Sequence, residues 1–227
     1  DVMHLNLHKT FSTPHGGGGP GSGPICVAKS LEPYVPYPLV VKEEGKYRLE
    51  RDGERETTCG RLKGFQGQFG MHVRALSYML SHGRDGLKQV AEDAVLSANY
   101  IQESLKDDFH APFEGPMMHE ALFTEKYQKE HGVTTLDIAK GLIEYGMHPM
   151  TVYFPLVVNG AMLIEPTETE SKAELDRFIA VMKKLAKDAR GGEIEKLKFS
   201  EYPISAPTRR LDEVKAAREP KLRWEAS

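Results

Sequence analysis

Short runs in which apolar and polar side chains alternate occur in the first fifty residues, a pattern typical of half-exposed β-strands. Residues 2–9 have this pattern, and the short apolar run at 25–28 and the runs at 39–41 and 47–49 are further candidate strands. The first predicts a buried strand that ends at Lys9, and the last two predict a hairpin with a charged turn at residues 42–46. Glycines and prolines at 13–24, and three prolines within 31–38, predict irregular chain between them.

From about Gly67 the apolar spacing changes to three and four residues, which is the period of an α-helix. The apolar positions are Val73, Leu76, Leu80, Leu87, Val90, Ala94, Ala98, Ile101 and Leu105. Gly83 and Gly86 interrupt the pattern, so we predict two helices, of which the second is long. Pro112 then breaks the chain, and we expect a domain boundary near residues 108–114.

Helices and strands alternate in the part that follows, which predicts a small two-layer α+β unit. The expected elements are an apolar run at 117–123, a helix at 134–145, strands at 151–158 and 161–164, and a helix at 171–188. Thr134 with Asp137, and Ser171 with Glu174, have the spacing of helix-capping pairs, and Gly146 predicts a helix end.

Beyond Gly192 the sequence is charged and interrupted by prolines, which predicts an extended tail with Leu222 and Trp224 docked on the protein. The tail is locally basic through Arg209, Arg210, Lys215, Arg218, Lys221 and Arg223. Because no aromatic residue apart from Trp224 is interleaved with these charges, we interpret them as a solvated face rather than a nucleic-acid site.

The composition is that of a folded protein, with 40% hydrophobic and 28% charged residues in a chain of 227. A net charge of −3 gives no electrostatic reason to expect nucleic acid as a partner, and no apolar run approaches the roughly 20 residues of a membrane span. Cys26 and Cys59 are too few for a disulfide scaffold and fit a reducing compartment such as the cytoplasm. The chain starts at Asp1 without a signal peptide, so we expect a piece of a longer protein.

The candidate chemistry lies at Lys9, where the predicted strand meets a glycine-rich loop. Open α/β sheets bind ligands just beyond the carboxyl ends of their strands. A lysine amine, with a pKa of about 10.4 in water, becomes a nucleophile when it is desolvated or held by an aldehyde cofactor. His8 and Thr10 can donate hydrogen bonds to a phosphate, and Gly16–Gly19 expose backbone N–H groups that favour anions. A solvated lysine beside a flexible linker explains the same pattern, whereas a nucleotide P-loop does not fit because Lys9 precedes the glycines.

Other candidates have simpler interpretations. His4 and His8 share one face of a strand, and we do not favour a metal site there. His119-Glu120 lacks the second histidine of a zinc-protease motif, and the glutamates at 165, 168 and 170 fit a helix start. Residues 66–68 fit a helix entry loop as well as they fit contacts of Gln66 and Gln68 with a substrate or partner subunit.

Several long blocks resemble the glycine dehydrogenase (decarboxylating) family, the P-proteins of the glycine cleavage system. They are Leu5-Asn6-Leu7-His8-Lys9-Thr10-Phe11, Pro14-His15-Gly16-Gly17-Gly18-Gly19-Pro20-Gly21, Thr151-Val152-Tyr153-Phe154-Pro155-Leu156 and Glu165-Pro166-Thr167-Glu168-Thr169-Glu170. The segment from Thr208 to Trp224 resembles the C-terminal end of subunit 2 of the two-subunit bacterial type.

The resemblance implies an α/β fold, the C-terminal part of a fold-type I transferase that depends on pyridoxal 5'-phosphate. Residues 1–110 would belong to the large cofactor-binding domain, 111–190 to a small α+β domain and 191–227 to an extended tail. Lys9 would be the Schiff-base lysine, with Asn6, His8, Thr10, Gly16 and Gly17 also binding the cofactor. Glycine would be decarboxylated in an oligomeric enzyme that contains subunit 1, and its aminomethyl group would pass to the lipoylated H-protein.

Two residues that the family uses at the ring, an acid at the pyridine nitrogen and a stacked histidine, would lie upstream of Asp1. We therefore expect this chain alone to be inactive. Two alternatives remain: an assembly module that docks a partner subunit or lipoyl carrier, and a phosphate-binding loop unrelated to pyridoxal.

Overall fold

The computed structural model describes residues 1–224 and divides the chain into two compact units, Asp1–Lys88 and the part from Gln89 onward. In the N-terminal unit the strands form two separate antiparallel pairs. The first pair joins β1 (Val2–His4) to β2 (Ile25–Val27), and the second joins β3 (Val40–Glu43) to β4 (Lys46–Leu49). The second pair confirms the predicted hairpin, and β2 confirms the strand at 25–28.

β1 is shorter and more exposed than the sequence indicated, because all three of its residues are exposed and it ends at His4. His4 pairs with Ile25, and the next residue of the partner strand is Pro24, which has no N–H to donate. Residues 29–34 form a 3-10 helix, which includes the start of the segment 31–38 that was expected to be irregular.

Helix α1 (Phe69–Leu105) confirms the two predicted helices, since Gly83 breaks it with a φ of +64° and a ψ of −174°. Only glycine adopts such a backbone readily. In the segment before Gly83, four apolar side chains on one face are exposed to solvent: Phe69, Val73, Leu76 and Leu80. We call this face the α1 stripe.

The C-terminal unit contains a three-stranded antiparallel sheet in the order β5-β7-β6. Its strands are β5 (Ala121–Thr124), β6 (Thr151–Val152) and β7 (Ala161–Ile164). Its helices are α2 (Lys126–Lys129), α3 (Thr135–Glu144), α4 (Lys172–Ala189), α5 (Glu193–Glu201) and α6 (Glu213–Arg218). Phe109, Phe123, Leu142, Met162 and Met182 lie at the centre of its core and are fully buried.

The predicted helix ends are confirmed in α3 and α4. The Thr134 hydroxyl accepts the Asp137 backbone N–H, and the Asp137 carboxylate accepts the Thr134 N–H in return. The Ser171 hydroxyl accepts the Glu174 N–H at the start of α4. Gly146, with a φ of +70°, follows the end of α3. Each cap satisfies an N–H that has no partner inside the helix.

The predicted strand at 151–158 is wrong beyond Val152. Tyr153 has a left-handed φ of +56°, and Pro155 has no N–H with which to continue a ladder. The chain therefore leaves the sheet and returns only at β7.

The predicted extended tail is also corrected by the structure. Residues 193–201 form α5, and Phe199 and the following Tyr202 are buried in the core. Leu222 and Trp224 do not dock, because each is 88% exposed. Residues 225–227 of the predicted tail lie outside the described residues.

Within residues 1–224, no helix combines the length and the apolar character that a membrane crossing requires.

Candidate functional site

Lys9 lies in a turn that is anchored by the buried residues Leu7 and Thr13. The Lys9 backbone N–H donates to the Asn6 carbonyl (3.1 Å), and the Thr13 N–H donates to the Leu7 carbonyl (3.3 Å). The side chain of Lys9 is exposed, and its amine has no hydrogen-bonding or ion-pair partner among the described residues. The turn thus presents an unpaired amine on a fixed backbone.

His8, half-buried next to Lys9, meets the ring of His15 edge-on with 4.7 Å between the ring centres. Its partial burial lowers the pKa of His8, and the neighbouring His15 and Lys9 lower it further. The imidazole of His8 is therefore neutral at pH 7, with one nitrogen that donates and one that accepts a hydrogen bond.

The other predicted site residues lie close in sequence but make different contacts. The Asn6 side-chain oxygen accepts from His4 Nε2 (2.7 Å), while Thr10 is exposed. Within residues 1–224, no hydrogen bond or ion pair joins Lys9 to Gly16 or Gly17. The structure places the ring of His8 against His15, a residue that the sequence did not assign to the site, and Lys9 follows His8 in the same turn.

The backbone of the glycine-rich loop has a conformation that residues with a side chain rarely adopt. Gly16, Gly17 and Gly18 have left-handed φ values of +56°, +65° and +94°. A Cβ on Gly16 would lie 2.5 Å from Pro20 Cδ, whereas a Cβ on Gly17 or Gly18 would meet no atom within 4 Å. The loop therefore leaves open space in which a ligand can approach the backbone.

Sequence reasoning missed two residues from α1 that hold this loop region. Arg74 Nε donates to the Ser12 carbonyl (3.0 Å), and His72 Nε2 shares a hydrogen bond of 2.6 Å with the Ser22 hydroxyl. Both residues lie more than 45 positions from their partners in the sequence. Polar residues are common on amphipathic helices, so their presence in the sequence does not indicate such a contact.

These residues fit a phosphate-bearing aldehyde cofactor. Lys9 provides an accessible amine, and left-handed glycines provide an open backbone where an anion can bind. Within residues 1–224, no group of three or more His, Cys, Asp or Glu side chains is arranged to hold a metal ion.

The remaining sequence candidates are part of the framework. The Gln68 carbonyl accepts the N–H groups of Met71 and His72 at the start of α1, which agrees with a helix entry loop. The glutamates at 165, 168 and 170 precede α4, and His119 Nε2 lies 3.9 Å from the Glu165 carboxylate.

Comparison with known proteins shows the family. Residues 90–207 match the family model described as glycine dehydrogenase, C-terminal domain. The chain is 58% identical over 99% of its length to the probable glycine dehydrogenase (decarboxylating) subunit 2 of Caulobacter vibrioides, and 51% identical over 99% to that of Bacillus licheniformis. It spans 43% and 45% of these two relatives, less than half of each.

A crystal structure of glycine decarboxylase (P-protein) of the glycine cleavage system, in inhibitor-bound form, has the same fold. It matches 81% of this chain with a TM-score of 0.64 and 18% identity, and the match spans 43% of that structure. The predicted α/β fold class is confirmed, and the fold is that of part of a glycine decarboxylase. By its match over residues 90–207 and its similarity to subunit 2 over nearly its whole length, this chain belongs to the glycine dehydrogenase, C-terminal domain, family.

Proposed function

We propose that this chain is the C-terminal part of a two-subunit glycine dehydrogenase and that Lys9 binds pyridoxal 5'-phosphate for the decarboxylation of glycine. The observation that carries the proposal is the unpaired Lys9 amine, followed in the chain by an open glycine loop, in a chain 58% identical to a subunit 2 over 99% of its length. The same similarity supports subunit 1 as a partner, because the relatives are named as second subunits.

Each predicted residue has a role in holding the cofactor or moving a proton. Lys9 Nζ would hold the cofactor through its aldehyde group and, when released from it, would move a proton at the substrate carbon. Neutral His8 and the Asn6 amide orient the cofactor, while the Thr10 hydroxyl and the N–H groups of Gly16 and Gly17 bind its phosphate.

When bound, pyridoxal phosphate supplies an electron sink for the bond that breaks as glycine loses carbon dioxide. The aminomethyl carbon would form a bond to one sulfur of the oxidised lipoyl disulfide of the H-protein; the sulfur–sulfur bond would break, and the second sulfur would take up a proton as a thiol. The enzyme would be an oligomer of the cytoplasm, where free thiols such as those of Cys26 and Cys59 persist.

The chain alone would be inactive, because the acid for the pyridine nitrogen and the histidine for the ring face would come from upstream sequence. Without that acid, a bound ring accepts electrons poorly. We expect no exchange of labelled carbon dioxide into glycine by the 227-residue chain, and measurable exchange by the longer subunit assembled with subunit 1 and H-protein.

Covalent labelling of Lys9 tests the cofactor proposal without measuring turnover. The longer subunit, assembled with subunit 1, is loaded with pyridoxal phosphate, reduced with borohydride and digested. We expect a pyridoxyl group on the peptide that contains Lys9. Lys9→Ala abolishes the label, whereas Lys29→Ala, which removes another exposed lysine of the same unit, does not.

Equal labelling of the Lys9→Ala protein would refute the assignment. Absence of a label from all variants, with subunit association retained, would favour the alternative of an assembly module. Nucleotide binding without any label would favour an unrelated phosphate-binding loop.

A further inference from the structure

The C-terminal unit contains an open cavity of about 460 Å³ that uses none of the proposed site residues. It lies at the end of β5, between the chain that follows α1 and the loop before β7. Phe113, Val157 and Val158 line its apolar side, with Phe113 56% and Val157 90% exposed, and His110 and Lys126 line its polar side. A volume of this size is within the usual range for small-molecule sites, about 300 to 1,000 Å³.

The cavity is held in shape by the residues around Gly160. The Glu125 N–H (3.0 Å) and the Thr135 hydroxyl (2.7 Å) both donate to the Gly160 carbonyl. Gly160 itself has a φ of +64°, and a Cβ there would overlap the Glu125 side chain. These bonds attach the loop that carries Val157 and Val158 to the end of β5, so this side of the cavity is pre-formed.

The buried carboxylate at the cavity, that of Glu125, is already paired with a cation. Burial alone would raise the pKa of Glu125, but hydrogen bonds from Lys129 Nζ (2.9 Å) and the Thr135 N–H (2.6 Å) outweigh it and hold the pKa below its usual range. Lys126, by contrast, has no hydrogen bond or ion pair from its amine among residues 1–224. The unpaired charge at the cavity is therefore positive.

His110 adds a hydrogen-bond donor. Its Nδ1 lies 2.9 Å from the Thr124 hydroxyl, which also accepts the Lys126 backbone N–H (3.4 Å). The hydroxyl has two lone pairs and one proton, so it can accept the Lys126 N–H and also donate its own proton to Nδ1; in that tautomer the proton of the neutral ring lies on Nε2. Partial burial, followed by the charge of Lys126, lowers the pKa of His110 and keeps the ring neutral.

We propose that this cavity binds a small monocarboxylate with an apolar body. The carboxylate pairs with the Lys126 amine and accepts from His110 Nε2, and the apolar body lies against Phe113, Val157 and Val158. This inference goes beyond the proposed function, because glycine has no apolar body and the cavity contains none of the residues assigned to pyridoxal phosphate.

Isothermal titration calorimetry of the full-length subunit with 4-phenylbutyrate tests the site. We expect saturable binding, and about tenfold weaker binding of 4-phenylbutanol, which has the same apolar body without the charge. Lys126→Gln reduces the affinity for phenylbutyrate about tenfold. The matched control Lys183→Gln removes another exposed lysine of the same unit and leaves it unchanged. Phe113→Ala, at a side chain 56% exposed and tolerant of truncation, weakens both ligands.

The proposal is wrong if phenylbutyrate shows no saturable binding, if the alcohol binds as well as the acid, or if neither Lys126→Gln nor Phe113→Ala changes the affinity. Borohydride labelling of Lys9 is measured on the same Lys126→Gln protein. Since that label does not depend on the cavity, failure here leaves the cofactor proposal standing.

Discussion

Gly160 is the residue whose replacement the structure constrains most sharply. Gly160 has a left-handed backbone, and the Glu125 side chain occupies the space where a Cβ would lie. The Glu125 side chain cannot move away cheaply, because both carboxylate oxygens are held, one by Lys129 and the other by the Thr135 N–H. A methyl group at Gly160 therefore disrupts contacts between β5, α3 and the loop before β7.

We predict that Gly160→Ala lowers the free energy of unfolding of the C-terminal unit by about 3 kcal/mol or more, the sum of a left-handed alanine and an overpacked contact. Gly132→Ala is the matched control, since Gly132 has a φ of +81° but open space where a Cβ would lie. It should cost only about 1 kcal/mol. Urea unfolding followed by circular dichroism measures both, and equal losses would show that the overlap with Glu125 has no effect.

The role of a residue could be predicted from the sequence where that role depends on residues nearby in the chain. The sequence indicated Lys9 as the reactive amine and Thr134 as a helix cap, and the cap is confirmed while the role of Lys9 stays a prediction. It did not indicate Glu125 or Arg74, because their importance comes from partners 10 and 62 positions away in the chain. Such contacts exist only after the fold has formed.

Among the elements, α3 depends most clearly on its first turn. Thr134 and Asp137 satisfy each other's backbone N–H groups, and the second oxygen of Asp137 accepts from Arg210 at 2.6 Å. One carboxylate thus fixes both the start of the helix and the chain that follows α5.

We predict that Thr134→Ala destabilises the protein by about 1 kcal/mol, the usual effect of losing a cap side chain. Thr134→Ser keeps the hydroxyl and should retain most of that stability. The urea midpoint of the three proteins, measured at one pH, gives the comparison. If the alanine and serine variants are equally stable, the capping bond does not contribute.

Element boundaries could be predicted where capping residues, glycine or proline mark them. The predictions were wrong where long-range packing decides the boundary. Gly83 and Ser171 mark their boundaries in the sequence as they do in the structure. The strand beginning at Thr151 was overextended because apolar residues continue past Pro155. The sequence did not predict the helix at 193–201, because Ile194, Leu197 and Phe199 do not form the periodic apolar stripe that reveals a helix; only Phe199 of the three is buried.

In the whole molecule, burial is distributed unevenly between the two units. Residues 1–88 contain three buried side chains, those of Leu7, Thr13 and Ala75. The continuous core lies in residues 101–202. Since buried apolar area is the main source of stability, the C-terminal unit should resist local unfolding more strongly.

We predict that limited trypsin digestion of the 227-residue chain cuts first within residues 42–63, where lysines and arginines are frequent, and leaves a protected fragment that begins near residue 89. Mass spectrometry of the time course identifies the fragments. Survival of the N-terminal unit beyond the C-terminal unit would contradict the link between burial and protection.

The α1 stripe has a practical consequence for anyone who purifies this chain by itself. Phe69, Val73, Leu76 and Leu80 face water, and a net charge of −3 provides little mutual repulsion between molecules. Association between the α1 stripes of different molecules will then limit the protein concentration that a stock solution can reach. Added salt, which screens what repulsion there is, will bring on turbidity sooner.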